Sequence, residues 1–106
     1  MSELDPIIHQ PVRLQIMAAL NHLGSREQVD FTFLKTKLGL TDGNLGAHLL
    51  TLEEAGYIRC MKSFEGRMPK TEYRLTEDGS KALTKYIDHM EALIQSMRGQ
   101  SLPPQQ

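Results

Sequence analysis

Apolar residues recur at helical spacing in four stretches of the chain and at strand spacing in two. In the first stretch Val12, Ile16, Leu20 and Leu23, with Leu14 and Met17 beside them, make one broad apolar face. Pro11 suits a first helical position, where its missing N–H costs nothing, and Gly24 is placed to end the helix. Ser25 to Gln28 form a polar connection, Val29 to Phe31 a very short strand, and Thr32 a cap for a short helix over Phe33 to Leu38 that Gly39 ends. In the third stretch Leu45, Leu49 and Leu52 fall at i, i+4 and i+7, which predicts a helix over residues 42–55 with one buried stripe. Thr41 is its natural N-cap, and Gly56 is placed to stop it in a left-handed conformation.

Two short helices joined by a tight glycine-containing turn read as a helix-turn-helix, whose second helix is the one that enters a DNA major groove. The exposed stripe of that helix is Asn44, Ala47, His48 and Thr51. Downstream, residues 57–64 and 70–75 are strand candidates. On the second, Thr71, Tyr73 and Leu75 alternate with Lys70, Glu72 and Arg74, as a half-buried sheet requires. Glu65 to Pro69, carrying Gly66 and Pro69, punctuate a turn between them, so a β-hairpin follows the two helices as the wing of a winged helix. Thr76 then caps a long last helix whose apolar positions Leu83, Tyr86, Met90, Leu93 and Met97 are spaced three and four apart, widened by Ile87 and Ile94. So long a stripe exceeds what a small domain covers alone, and predicts a homodimer through that helix. Leu4, Ile7 and Ile8 in the lead-in are placed to pack on the domain or on a partner subunit.

The 106 residues, 40% hydrophobic and 24% charged, fit one domain over 1–98, of which about 76–98 form the dimerisation helix, with 99–106 a disordered tail rich in proline and glutamine. The expected class is α+β, mostly α. A net charge of -1 is low for a nucleic-acid binder, but seven basic residues against five acidic ones between Lys35 and Arg74 leave that region at +2. Cys60 stands alone, which rules out an internal disulfide. Neither a membrane span of roughly 20 apolar residues nor a leader pattern is seen, so a cytoplasmic protein is expected.

Order and wording of the motifs together resemble the small winged-helix transcriptional regulators of bacteria and archaea near the arsenic-repressor and multiple-antibiotic-resistance groups, in particular those with the phrase LTDGNL. The matching residues are Leu40 to Leu45 (LTDGNL), His48-Leu49, Leu52 to Gly56 (LEEAG), Phe64 to Arg67 (FEGR) and Tyr73 to Gly79 (YRLTEDG). The resemblance spans about residues 4–94 and implies a dimer on duplex DNA, with the second helix of the motif in the major groove and the wing over the adjacent backbone or minor groove. Where relatives commonly place small polar and basic residues, this chain has Gly46, Ala47 and Leu50, which removes phosphate and guanine contacts.

Asn44, His48 and Thr51 offer donors and acceptors to base edges or phosphates, or are simply solvated. Arg67 at the hairpin tip, with Lys62 and Lys70 nearby, suits a narrow minor groove; a basic tip is also an ordinary solubility device. Lys35 and Lys37 are candidate phosphate contacts on the first helix of the motif. His9, His22, His48 and His89 form no ligand pair with Cys60, so neither metal nor cofactor is expected. No nucleophile stands with a base at motif spacing, which argues against an enzyme. The expected partners are double-stranded DNA and a second copy of the chain, with no membrane; no polar constellation at the core–dimer-helix junction specifies an effector. The rival reading is a winged helix that binds another protein and not specific DNA, favoured by the near-neutral charge.

Overall fold

The computed structural model describes residues 4–22 and 28–99. Its elements are α1 (Pro11–His22), β1 (Val29–Asp30), α2 (Phe31–Leu38), α3 (Asp42–Glu54), β2 (Ile58–Glu65), β3 (Met68–Leu75) and α4 (Glu77–Met97). The expected Gly24 stop and the tail over 100–106 lie outside the described residues. The architecture is a mostly helical winged helix, with a three-stranded antiparallel sheet in the order β1-β3-β2.

The core forms where the apolar stripes converge. Ile16, Met17 and Leu20 of α1, Leu34 of α2, and Leu45, Leu49 and Leu52 of α3 meet Val29, Ile58, Tyr73 and Leu75 of the sheet. Ile8 in the lead-in is fully buried in the same cluster, so the lead-in packs on its own domain. Two polar contacts fasten it: the Tyr57 hydroxyl donates to the Asp5 carboxylate, and His9 Nδ1 lies 2.9 Å from the Tyr86 hydroxyl. The bond to Asp5, aided by burial, pushes the Tyr57 pKa up to about 12, so this hydroxyl stays a donor.

Local chemistry explains the boundaries. Gly39 takes φ +66° and its N–H reaches the Lys35 carbonyl, closing α2 and opening the turn to α3. Thr41 caps α3 by accepting from the Asn44 N–H at 3.2 Å, and Gly56 ends it with φ +81°. The cap of α2 is Asp30, not Thr32. Its carboxylate accepts from the Phe33 N–H at 2.7 Å while its backbone pairs with Glu72, so α2 begins directly off β1, two residues earlier than the apolar pattern suggests.

The hairpin is tighter than the five-residue turn expected. Glu65 pairs with Met68, leaving only Gly66 and Arg67 in the turn. Gly66 has φ +64° and Arg67 a negative φ, as a type II′ turn requires. Pro69 lies inside β3. In a two-residue hairpin Glu65 and Met68 are the hydrogen-bonded pair, so Phe64 and Pro69 are a non-hydrogen-bonded one. The Pro69 nitrogen therefore turns away from β2, toward an edge where β1 reaches only Glu72 and Tyr73, and its missing donor is not needed.

Thr76 joins the wing to α4. Its N–H donates to the Tyr57 carbonyl at 3.0 Å, its hydroxyl donates to the Gly56 carbonyl at 2.6 Å, and that hydroxyl oxygen accepts from the Gly79 N–H at 2.9 Å. The first turn of α4 thus lies against the start of β2. Gly79 permits this approach, because a Cβ there would stand 2.0 Å from the Tyr57 carbonyl oxygen.

Candidate nucleic-acid interface

Burial of the three leucines fixes the rotation of α3 and presents its polar stripe outward. Asn44 and Ala47 are exposed, while His48 and Thr51 are half-buried at the margin of the contact with α1. Thr51 spends its proton on the Ala47 carbonyl at 3.1 Å, so toward a ligand it offers lone pairs only. His48 is held from the side by α1: Arg13 Nη1 donates to its Nδ1 at 3.2 Å. The same guanidinium donates through Nε to the Ile7 carbonyl at 2.5 Å and through Nη2 to the Pro6 carbonyl at 3.4 Å. Burial, then the Arg13 charge, lowers the His48 pKa below its ordinary 6.5, so the imidazole is neutral at pH 7. Gly46 and Leu50 lie on another side of the helix, where Leu50 is exposed.

The cations are more dispersed than the sequence suggests. Strand register puts Lys62 opposite Thr71 and Lys70 opposite Ser63, on opposite faces of the ribbon, so Lys62 and Lys70 do not form one cluster with Arg67. Arg67 alone occupies the turn. Lys70 is flanked by Glu65 at 3.2 Å and Glu72 at 3.9 Å, and its pKa is raised by the bond to Glu65 first and the charge of Glu72 second. Lys35 pairs with Asp42 at 2.8 Å across the turn between α2 and α3. The Lys35–Asp42 and Lys70–Glu65 pairs are solvent-exposed, a setting in which such bridges are weak and exchange readily for phosphate. Lys37 lies 5.9 Å from the centre of the exposed Phe33 ring.

Only part of the α4 stripe is free. Leu83 and Tyr86, expected at a dimer interface, are each 3% exposed, buried in the core of the domain, and so offer no free surface to a partner. The 3-and-4 spacing identifies an apolar face without saying what covers it, and here α1 and the lead-in cover its first half. Beyond Tyr86 the helix leaves the core: Met90 is half-buried, while Ile87, Leu93, Ile94 and Met97 are 42, 43, 37 and 69% exposed.

A family model described as a winged helix DNA-binding domain matches residues 12–94, from the first turn of α1 to the exposed part of α4. The chain belongs to this family. An uncharacterized protein of Methanocaldococcus jannaschii is 44% identical over 82 residues, covering 76% of this chain and 85% of that protein. Among solved structures, a transcriptional regulator homologue from Pyrococcus horikoshii superposes with a TM-score of 0.78 at 31% identity, over 86% of this chain and 87% of that one. A structure described as a MarR-family regulator from Porphyromonas gingivalis shares the fold, with a TM-score of 0.65 at 24% identity over 87% and 92% of the two chains. This winged-helix family is one of DNA-binding domains, not of enzymes.

Within this family fold the chain also assembles groups that the sequence keeps far apart. Asp5, Tyr57, Asp78, Lys85, Tyr86 and His89 line a hollow of about 460 Å³ between the lead-in, the start of β2 and α4. The sequence showed no such constellation, because its members come from three segments. Among the described residues no group of three or more His, Cys, Asp or Glu is placed to hold a metal ion, and no helix is long and apolar enough to cross a membrane. Cys60 is half-buried beside Tyr73 on the core side of the sheet. Arg13, which holds His48 from the side, carries no signal of that contact in a motif. The available signal was a charged side chain set between Val12 and Leu14, close to the apolar face of α1.

Proposed function

We propose that the protein is a homodimeric transcriptional regulator of the LTDGNL-containing group. In this reading the unit spans 1–98, and two copies join through the exposed second half of α4, using Ile87, Met90, Leu93, Ile94 and Met97. Each subunit places α3 in a major groove, the two grooves lying about 34 Å apart on a pseudo-palindromic duplex. Asn44, His48 and Thr51 face the bases, and Arg67 lies on the flanking backbone or in the minor groove. Lys35, Lys37, Lys62 and Lys70 supply phosphate contacts that orient the domain without reading sequence.

The observation that carries this reading is the presence on one subunit of two outward stripes, polar on α3 and apolar on the free end of α4. The wing alone lacks the cation cluster that would mark it as the main anchor, so α3 and the α2 lysines must share the contact.

Fluorescence anisotropy with a duplex of random sequence tests the proposal. Binding at low salt should weaken steeply as salt rises, because each neutralised phosphate releases a counterion. Arg67→Ala should reduce the slope of log affinity against log salt by about one. Binding that ignores salt would refute the mechanism. The rival protein-docking reading draws on exposed Leu50; no duplex binding at low salt, with capture of a defined protein partner, would put it in place of the first.

A further inference from the structure

We propose that Arg13 is a positioning residue for recognition: it fixes His48 as the neutral tautomer protonated on Nε2, so that Nε2–H donates to an acceptor atom on DNA. The proposal rests on the DNA-binding reading above.

The argument is one of donor inventory. A guanidinium has five N–H donors and no acceptor, so the 3.2 Å contact between Arg13 Nη1 and His48 Nδ1 requires a lone pair on Nδ1. The ring proton must then sit on Nε2, the nitrogen remote from α1. The guanidinium is itself held, since Nε and Nη2 donate to the Ile7 and Pro6 carbonyls of the lead-in. A second proton on the ring would face that fixed cation, and the lowered pKa of His48 agrees with its exclusion.

The consequence is a defined reading pattern on α3. His48 offers a donor only, Thr51 lone pairs only, and Asn44 both. A fixed donor favours the N7 of either purine, guanine O6, thymine O4 or a phosphate oxygen, and disfavours the amino groups of cytosine and adenine. With the opposite tautomer the outward nitrogen would be an acceptor and the preference would reverse.

Long-range proton–nitrogen correlation spectra of the free full-length protein at pH 7.5 read the tautomer directly. His48 is expected to show a pyridine-like Nδ1 and a pyrrole-like Nε2, and Arg13→Met should give mixed tautomers. A wild-type His48 protonated on Nδ1, or on both nitrogens, overturns the proposal even where the variant fails to fold. Selection of duplexes from a random library with wild type, Arg13→Met, His48→Phe and the double variant supplies the second arm. His48→Phe should weaken binding to the selected site about tenfold, Arg13→Met only by the share of the Nε2–H tautomer it loses, about twofold, and the double variant no more than His48→Phe alone. A loss confined to particular base pairs identifies a base-edge acceptor, and a uniform loss identifies phosphate; either supports the donor assignment. Additive losses overturn the proposal alone, whereas no binding by the wild type overturns the DNA reading beneath it.

Discussion

Gly79→Ala is the sharpest perturbation that the fold offers, because it acts on the joint between the wing and α4. A Cβ at position 79 would lie 2.0 Å from the Tyr57 carbonyl oxygen and 2.8 Å from its carbonyl carbon, where ordinary contact begins at 3.4 Å. The obstacle is backbone, so no rotamer relieves it. Moving α4 away by more than an ångström stretches the 3.0 and 2.6 Å bonds of Thr76 to Tyr57 and Gly56 beyond useful length. Overpacking costs about 1–3 kcal/mol, and each lost hydrogen bond about 1 kcal/mol. Better helix propensity returns at most about 1 kcal/mol. The net is a destabilisation of roughly 2–4 kcal/mol, or a fall in Tm of at least about 10 °C for a domain of this size. Gly46→Ala is the control: its Cβ would meet nothing within 4 Å inside α3, so the substitution should stabilise by about 0.5–1 kcal/mol. Thermal and urea denaturation of both variants decides the matter. A Gly79→Ala protein as stable as wild type would show that α4 does not rest on Tyr57 as described.

Two further outcomes follow from the packing and the electrostatics. Leu83→Ala should destabilise each subunit by about 2–4 kcal/mol through the cavity it leaves, whereas Ile94→Asp, on the free end of α4, should leave the fold intact and dissociate the dimer; sedimentation and urea unfolding separate these, and the reverse assignment would move the interface to the first half of the helix. The folded pKa of His48 lies below its unfolded value near 6.5, so its contribution to stability is present above pH 6.5 and is lost as pH falls through the folded pKa. The urea midpoint should therefore decline on acidification below about pH 6.5 and decline less in His48→Phe, while identical pH profiles would contradict the half-buried, Arg13-facing placement.

The elements legible in the sequence were those whose signals are local. Thr41 and Thr76 were readable as caps and Gly39 and Gly56 as stops because each acts within a few residues of its own helix end. The leucine stripe of α3 likewise follows from spacing alone. What was missed depends on partners distant along the chain. Asp30 outcompeted Thr32 as a cap because pairing with β3 had already fixed its extended backbone. Pro69 looked like turn punctuation, yet its nitrogen faces an unused edge, a fact visible only once the register is known. Leu83 and Tyr86 belonged by period to the dimer stripe but are covered by their own subunit. Arg13 has no motif around it, and its role depends on a histidine 35 residues later.

Chemical-protection footprinting on a duplex selected from genomic DNA, with sedimentation of the same complex, tests the central claim most directly. Two subunits per duplex should protect two major-groove half-sites about one helical turn apart, and Ile94→Asp should abolish the paired pattern. A single protected half-site bound by one subunit, or protection centred on the minor groove alone, would contradict the account.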